Sequence, residues 1–130
     1  MRTSLSRSRL NPAAVVALSL VLFAWAVAAL VYVFVVPTVH VPRISASYRF
    51  EHFVLFYVVS LIAISGFPTL SVETVLTLIA TLAVMLESAR LWNPAHRASG
   101  AENLFCDVAG VLAVWAPIAA ERLRRLFAAR

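Results

Sequence analysis

The chain has 130 residues, 62% of them hydrophobic and 13% charged, with a mean hydropathy of +0.91. A soluble domain is nearer half apolar and a quarter charged, so this balance points away from a soluble enzyme, a disordered tail or a disulfide scaffold and towards a membrane protein; the single cysteine, Cys106, has no internal partner. The net charge of +5 comes from arginine without lysine, and on so apolar a chain it points to anionic lipid rather than to nucleic acid.

Residues 1–10 are polar and basic, with Arg2, Arg7 and Arg9 among serines. Asn11-Pro12 then supplies an N-cap and a proline for the first helical turn. Residues 13–36 carry no charge. As a helix they measure about 36 Å, enough to cross a hydrocarbon layer of about 30 Å. The run is too long for a cleavable leader and no polar cleavage region follows it, so the spacing predicts a retained first membrane helix. Pro37 stops it, and a mixed loop with His40, Arg43 and Tyr48 follows.

A second helix is expected over 51–66, with Glu51 and His52 at its mouth and Ser65-Gly66-Phe67-Pro68 as its stop. Ser71 caps a third over 71–92, with Glu73 in the first turn, where the helix dipole favours an anion. Asn93-Pro94 breaks this helix, and a short polar loop with His96 and Arg97 leads to a fourth over 103–120. Pro117 is a candidate kink, and 121–130 reads as a separate basic amphipathic tail. The apolar runs are long and lack two-residue alternation, so the expected fold is all-α: an integral membrane four-helix bundle over 11–120.

Four spans put both ends of the chain on one side. That side carries seven arginines and the other four (Arg43, Arg49, Arg90 and Arg97). The positive-inside bias therefore predicts cytoplasmic termini. Glu73 falls at the terminal side, where it is expected to be solvated. Trp25, Tyr32, Tyr48, Tyr57, Trp92 and Trp115 are candidates for interfacial belts as much as for plain packing.

The same topology gathers polar groups at the opposite face. Helix 2 begins there with Glu51 and His52, helix 3 ends there with Glu87 and Arg90, helix 4 begins there with Asn103 and Asp107, and the loop adds His96 and Arg97. Glu87 and Arg90 are three residues apart and can pair. Asp107 shares a face with Asn103 and needs a partner, with Arg90 or Arg97 as the nearest cations. A carboxylate in hydrocarbon costs several kcal/mol unless paired or wetted, so such groups mark either a polar pocket or a satisfied knot that staples helices. No metal-ligand spacing of known type is present, although Glu51, His52, His96 and Asp107 are chemically able to bind an ion. Cys106 lies on an apolar stretch, Ser99 has only His96 nearby, and no phosphate-cradling glycine loop exists, so no cofactor is expected.

Glu51-His52-Phe53 with Phe56, Gly66-Phe67-Pro68, Leu86-Glu87-Ser88-Ala89-Arg90, then Pro94, Arg97, Asn103, Asp107 and Gly110 resemble the VanZ-like family over about residues 48–115. These are small multi-spanning bacterial membrane proteins named after an accessory protein of teicoplanin resistance. The resemblance places His52 at the family histidine, Glu51 at the adjoining acid, Glu87 at the helix-3 glutamate, Arg97 at the loop arginine and Gly110 at the glycine. Three positions depart from the pattern. Arg90 replaces a glutamine, and Asn103 and Asp107 stand where an aspartate and an asparagine are usual, so acid and amide are exchanged one turn apart. The resemblance implies a bacterial inner-membrane protein acting at the cell envelope, with a link to antibiotic susceptibility.

Four functions fit the residues. The polar face binds an envelope amphiphile such as a lipid head group, a lipopeptide or glycopeptide, or a lipid-linked precursor, with Arg90 and Arg97 holding an anionic group. Alternatively the charges only fix helix packing in an assembly protein. A membrane enzyme on a lipid-linked substrate would use His52 as acid or base, and a small carrier would want a carboxylate nearer mid-membrane. Binding is favoured over catalysis.

Overall fold

The structure, a computed structural model, describes residues 11–35, 47–92 and 100–128. They form four helices: α1 (Pro12–Val35), α2 (Tyr48–Gly66), α3 (Val72–Leu91) and α4 (Gly100–Ala128). Among the described residues there is no strand. All four helices are long and apolar enough to cross a membrane. The chain is an all-α, multi-pass membrane protein.

Local chemistry accounts for the ends. The Asn11 side-chain oxygen accepts a hydrogen bond from the Ala13 amide at 3.0 Å, and Pro12 has no amide hydrogen that needs a partner. Ser47 accepts from the Phe50 amide at 3.4 Å and Ser71 from that of Thr74 at 3.1 Å. These caps satisfy amides that the helix itself leaves open. At the other end of α2 the Phe67 amide donates back to the Ala63 carbonyl at 3.0 Å, and the chain turns through Pro68 to α3.

Two boundaries differ from expectation. α2 begins at Tyr48 rather than at 51, because Ser47 is the residue that caps it. α4 begins at Gly100 and runs for 29 residues through Pro117, so 121–128 continues the helix instead of forming a separate tail. Proline there removes one amide donor and crowds the carbonyl four residues earlier, yet the helix carries on past it. The Arg-, Leu- and Ala-rich segment beyond it has strong helix propensity, and Glu121 pairs within the helix with Arg124 at 2.9 Å and Arg125 at 2.8 Å. At about 43 Å, α4 exceeds a hydrocarbon thickness of about 30 Å, which leaves its last charged turns outside.

α2 is the central helix. It packs against α4, α1 and α3, whereas α1 packs mainly on α2. Its buried positions Phe56, Val59 and Ala63 form one stripe, and they meet Leu30 of α1, Val75, Leu76, Ile79 and Ala83 of α3, and Val111 and Val114 of α4. Large apolar side chains such as Leu18, Trp25, Leu78, Met85 and Phe105 face outward. In water such an exterior would drive aggregation; in a membrane it is the lipid-contacting face.

Small residues set the helix spacing. A Cβ added to Gly110 of α4 would lie 2.4 Å from the carbonyl oxygen of Phe53 and 3.0 Å from the amide nitrogen of Tyr57, both in α2. The α4 and α2 backbones therefore touch at this point, as membrane helices do where a small residue faces the neighbour. Gly66 plays a milder part at the α1–α2 contact, with Leu20 Cδ2 at 3.3 Å from the equivalent position.

Candidate functional site: a buried polar cluster

α2 and α4 run parallel and α3 antiparallel to both, so the start of α2, the end of α3 and the start of α4 lie at one end of the bundle. An ion pair between Arg49 and Glu102 ties the first turns of α2 and α4 together there. At the far end Glu73 stays open to solvent, as expected, and pairs there with Arg122, because the long α4 brings an arginine back beside the start of α3.

Inside the first end lies a buried polar cluster. His52, Glu87, Arg90, Asn103 and Asp107 are each at most 8% exposed. His52 Nδ1 is 2.7 Å from Asp107 Oδ1. With the carboxylate ionised, the imidazole is the donor of this bond, through Nδ1–H. Glu87 Oε1 lies 3.9 Å from the same nitrogen. Arg90 donates from Nη1 to Glu87 Oε1 at 3.3 Å and to the Tyr48 hydroxyl at 2.7 Å. The Tyr48 ring in turn packs edge-on against His52, centroids 4.5 Å apart. One polar chain thus runs from Tyr48 through Arg90, Glu87 and His52 to Asp107, drawing on α2, α3 and α4.

The helix periods explain the convergence. Tyr48, His52 and Phe56 are four residues apart and share the α2 face that carries the core. Glu87 and Arg90 occupy the last turns of α3 on the continuation of Ala83. Asn103, Asp107 and Gly110 follow one α4 face, so the glycine that brings the backbones together sits one turn from the aspartate that uses the proximity.

Some atoms remain unmatched. Glu87 Oε2, Asp107 Oδ2 and Asn103 Nδ2 are buried and form no hydrogen bond, as is the Ser60 hydroxyl farther along α2. Buried polar atoms are ordinarily bonded, and a carboxylate oxygen left bare in a low-dielectric setting is costly.

The expected residues fare unevenly. His52, Glu87, Arg90, Asn103 and Asp107 come to one end of the bundle, and Glu51 is half-buried beside them in the first turn of α2. His96 and Arg97 lie outside the described residues. Asp107 was expected to pair with an arginine; its partner is His52, because the α2–α4 seam brings the imidazole closer than Arg90, which turns to Glu87 and Tyr48. Tyr48, which reads from the sequence as a loop residue and a belt aromatic, belongs to the cluster. Its spacing of four from His52 is the signal that identifies it. Trp25, Tyr32, Trp92 and Trp115 do stay exposed.

Chemically the cluster offers an imidazole oriented by a carboxylate, a second carboxylate clamped by a guanidinium, and two open acceptor oxygens. One ligand atom from each of His52, Glu87 and Asp107 lies within 4.8 Å of the others, a spacing compatible with a shared cation or proton donor. No protein-family model, curated protein or solved structure matches this chain.

Proposed function

We propose that this chain is a VanZ-like protein of the bacterial inner membrane, with both termini cytoplasmic, that holds the polar head of an envelope amphiphile at the outer end of its bundle. The observation that carries this reading is the set of unmatched buried atoms beside a formed network: Glu87 Oε2, Asp107 Oδ2 and Asn103 Nδ2. Two of the three are acceptors, so they suit a head group that donates, through amine or sugar hydroxyl groups. With Arg90 engaged by Glu87 and Tyr48, this end favours a donor-rich group over a purely anionic one. A glycopeptide, an amino lipid or a lipid-linked sugar has that chemistry. The resemblance to the VanZ-like family and the arginine bias supply the membrane, the sidedness and the link to antibiotic susceptibility.

The test is binding to the purified protein in nanodiscs. Phosphatidylethanolamine, phosphatidylglycerol and a teicoplanin-type lipoglycopeptide are titrated against wild type, Asp107→Asn and, as a control at the far end, Glu73→Gln. Saturable binding of an amine- or sugar-bearing amphiphile, weakened by Asp107→Asn and not by Glu73→Gln, is expected. Equal binding by all three proteins would overturn the assignment.

A second reading is favoured by the 2.7 Å contact of His52 with Asp107. A carboxylate that fixes an imidazole's tautomer is the usual support of a general base. On this reading the protein is a membrane enzyme acting on a lipid-linked substrate, and turnover by wild type but not by His52→Ala distinguishes it from a binder.

A further inference from the structure

The geometry points to a divalent-cation site formed by His52, Glu87 and Asp107, taking a first-row transition-metal ion. The inference deepens the proposed function by naming what fills the polar end of the bundle, and it is tested without any amphiphile.

Three observations converge. The first is the donor set. One imidazole and two carboxylates come from three different helices, none is more than 5% exposed, and their ligand atoms lie within 4.8 Å of one another. The second is the spacing. His52 Nδ1 is 2.7 Å from Asp107 Oδ1 and 3.9 Å from Glu87 Oε1. Two donors each about 2.1 Å from one ion lie about 3.0 Å apart at a right angle and about 3.4 Å apart at the tetrahedral angle. The observed separations bracket those values, so small side-chain rotations bring all three onto a common centre with the helices in place.

The third observation is independent of the ligating atoms already in contact. Glu87 Oε2 and Asp107 Oδ2 are buried without a hydrogen bond, and so is the amide nitrogen of Asn103, one turn before Asp107 on the same helix. Arg90 bonds Glu87 through Oε1 alone, at 3.3 Å. A cation would engage the unused carboxylate oxygens, and the Asn103 amide would donate to an oxygen bound to that ion.

The donor chemistry selects the metal. An imidazole with two carboxylates suits Zn²⁺, Mn²⁺ or Fe²⁺. Ca²⁺ seeks six or more oxygen ligands and Mg²⁺ keeps its water, and neither favours nitrogen. Binding displaces the Nδ1 proton of His52 to solvent, since an imidazole ligates only through an unprotonated nitrogen. Three protein ligands leave coordination positions open, where a sugar hydroxyl or amine of the proposed head group would sit.

The test uses the full chain, purified in detergent, stripped with a chelator and titrated separately with Zn²⁺, Mn²⁺ and Mg²⁺ by calorimetry, with bound metal counted by mass spectrometry. One transition-metal ion per chain is expected, with Mg²⁺ far weaker. Cobalt substitution should give visible absorption of a nitrogen–oxygen site. His52→Gln and Asp107→Asn should each weaken binding by about tenfold or more, while Glu73→Gln and Glu121→Gln leave it unchanged. If a variant fails to fold, the wild-type stoichiometry and the cobalt spectrum still decide. Absence of stoichiometric binding by folded wild type, or binding undiminished in folded His52→Gln, overturns the site. Amphiphile binding by a protein that takes up no stoichiometric metal would sink the metal and spare the proposed function; metal binding without amphiphile binding would do the reverse.

Discussion

Gly110 of α4 lies so close to the Phe53 carbonyl of α2 that a methyl group on it would sit 2.4 Å from that oxygen. Phe53 follows His52 and Gly110 is one turn past Asp107, so this backbone contact and the 2.7 Å His52–Asp107 bond belong to one seam. Gly110→Ala must push α2 and α4 apart. Overpacking of this kind costs about 1–3 kcal/mol, and the same displacement stretches the bond. The variant should unfold at a lower temperature in detergent and lose most of whatever ligand binding wild type shows, whereas Gly66→Ala, whose nearest neighbour is the flexible end of Leu20 at 3.3 Å, should be much milder.

His52 and Asp107 should be energetically coupled. Removing one partner of a buried pair leaves the other without compensation, at a cost of about 3–5 kcal/mol. His52→Leu and Asp107→Leu are each expected to destabilise strongly, and the double variant by clearly less than their sum. A double-mutant cycle on unfolding in mixed micelles measures the coupling, expected within about 0.5–3 kcal/mol. Strict additivity would mean that the two side chains do not interact.

Arg90 is the one arginine among the described residues that is buried. It links Glu87 to Tyr48. Arg90→Gln leaves the Glu87 carboxylate without its guanidinium and should be among the most damaging single changes in α3. Tyr48→Phe removes one hydrogen bond and should cost about 0.5–1.5 kcal/mol. Arg90→Lys should recover only part of the loss, because a single ammonium does not reproduce the spread of guanidinium donors. Thermal unfolding of the three variants ranks them directly.

The pairs at the two ends of the bundle should behave differently. Arg49–Glu102 and Glu73–Arg122 are largely exposed, and exposed ion pairs contribute little and are screened by salt. Glu73→Gln and Glu102→Gln should leave the unfolding temperature nearly unchanged at moderate ionic strength. A large loss in either would mean that the pair is shielded in the membrane.

Chain order and hydropathy make most of this fold legible. The uncharged first run, the Gly-Phe-Pro turn and the Ser71 cap place α1, the end of α2 and the start of α3 within a residue or two, because each rests on local chemistry. The end of α4 is less legible, since a proline followed by clustered arginines resembles a helix stop, while the Glu121 pairs that prolong the helix show only once the helix is built. The site divides in the same way. Membership of His52, Glu87, Arg90, Asn103 and Asp107 follows from topology alone. Their pairing does not. It depends on the rotation of α2 against α4, which Gly110 sets through one close contact, and that is a three-dimensional quantity. Tyr48 is not legible as a member, because an aromatic at a helix mouth is equally at home in lipid head groups.

Among the described residues the buried ionisable side chains all occupy the end where α2 and α4 start, and the ion pairs of the far end are exposed. The bundle is therefore polarised along the membrane normal, like a magnet with unlike poles. Its two leaflets meet different chemistry, and the direction in which the first helix inserts decides which compartment the reactive pole can sample.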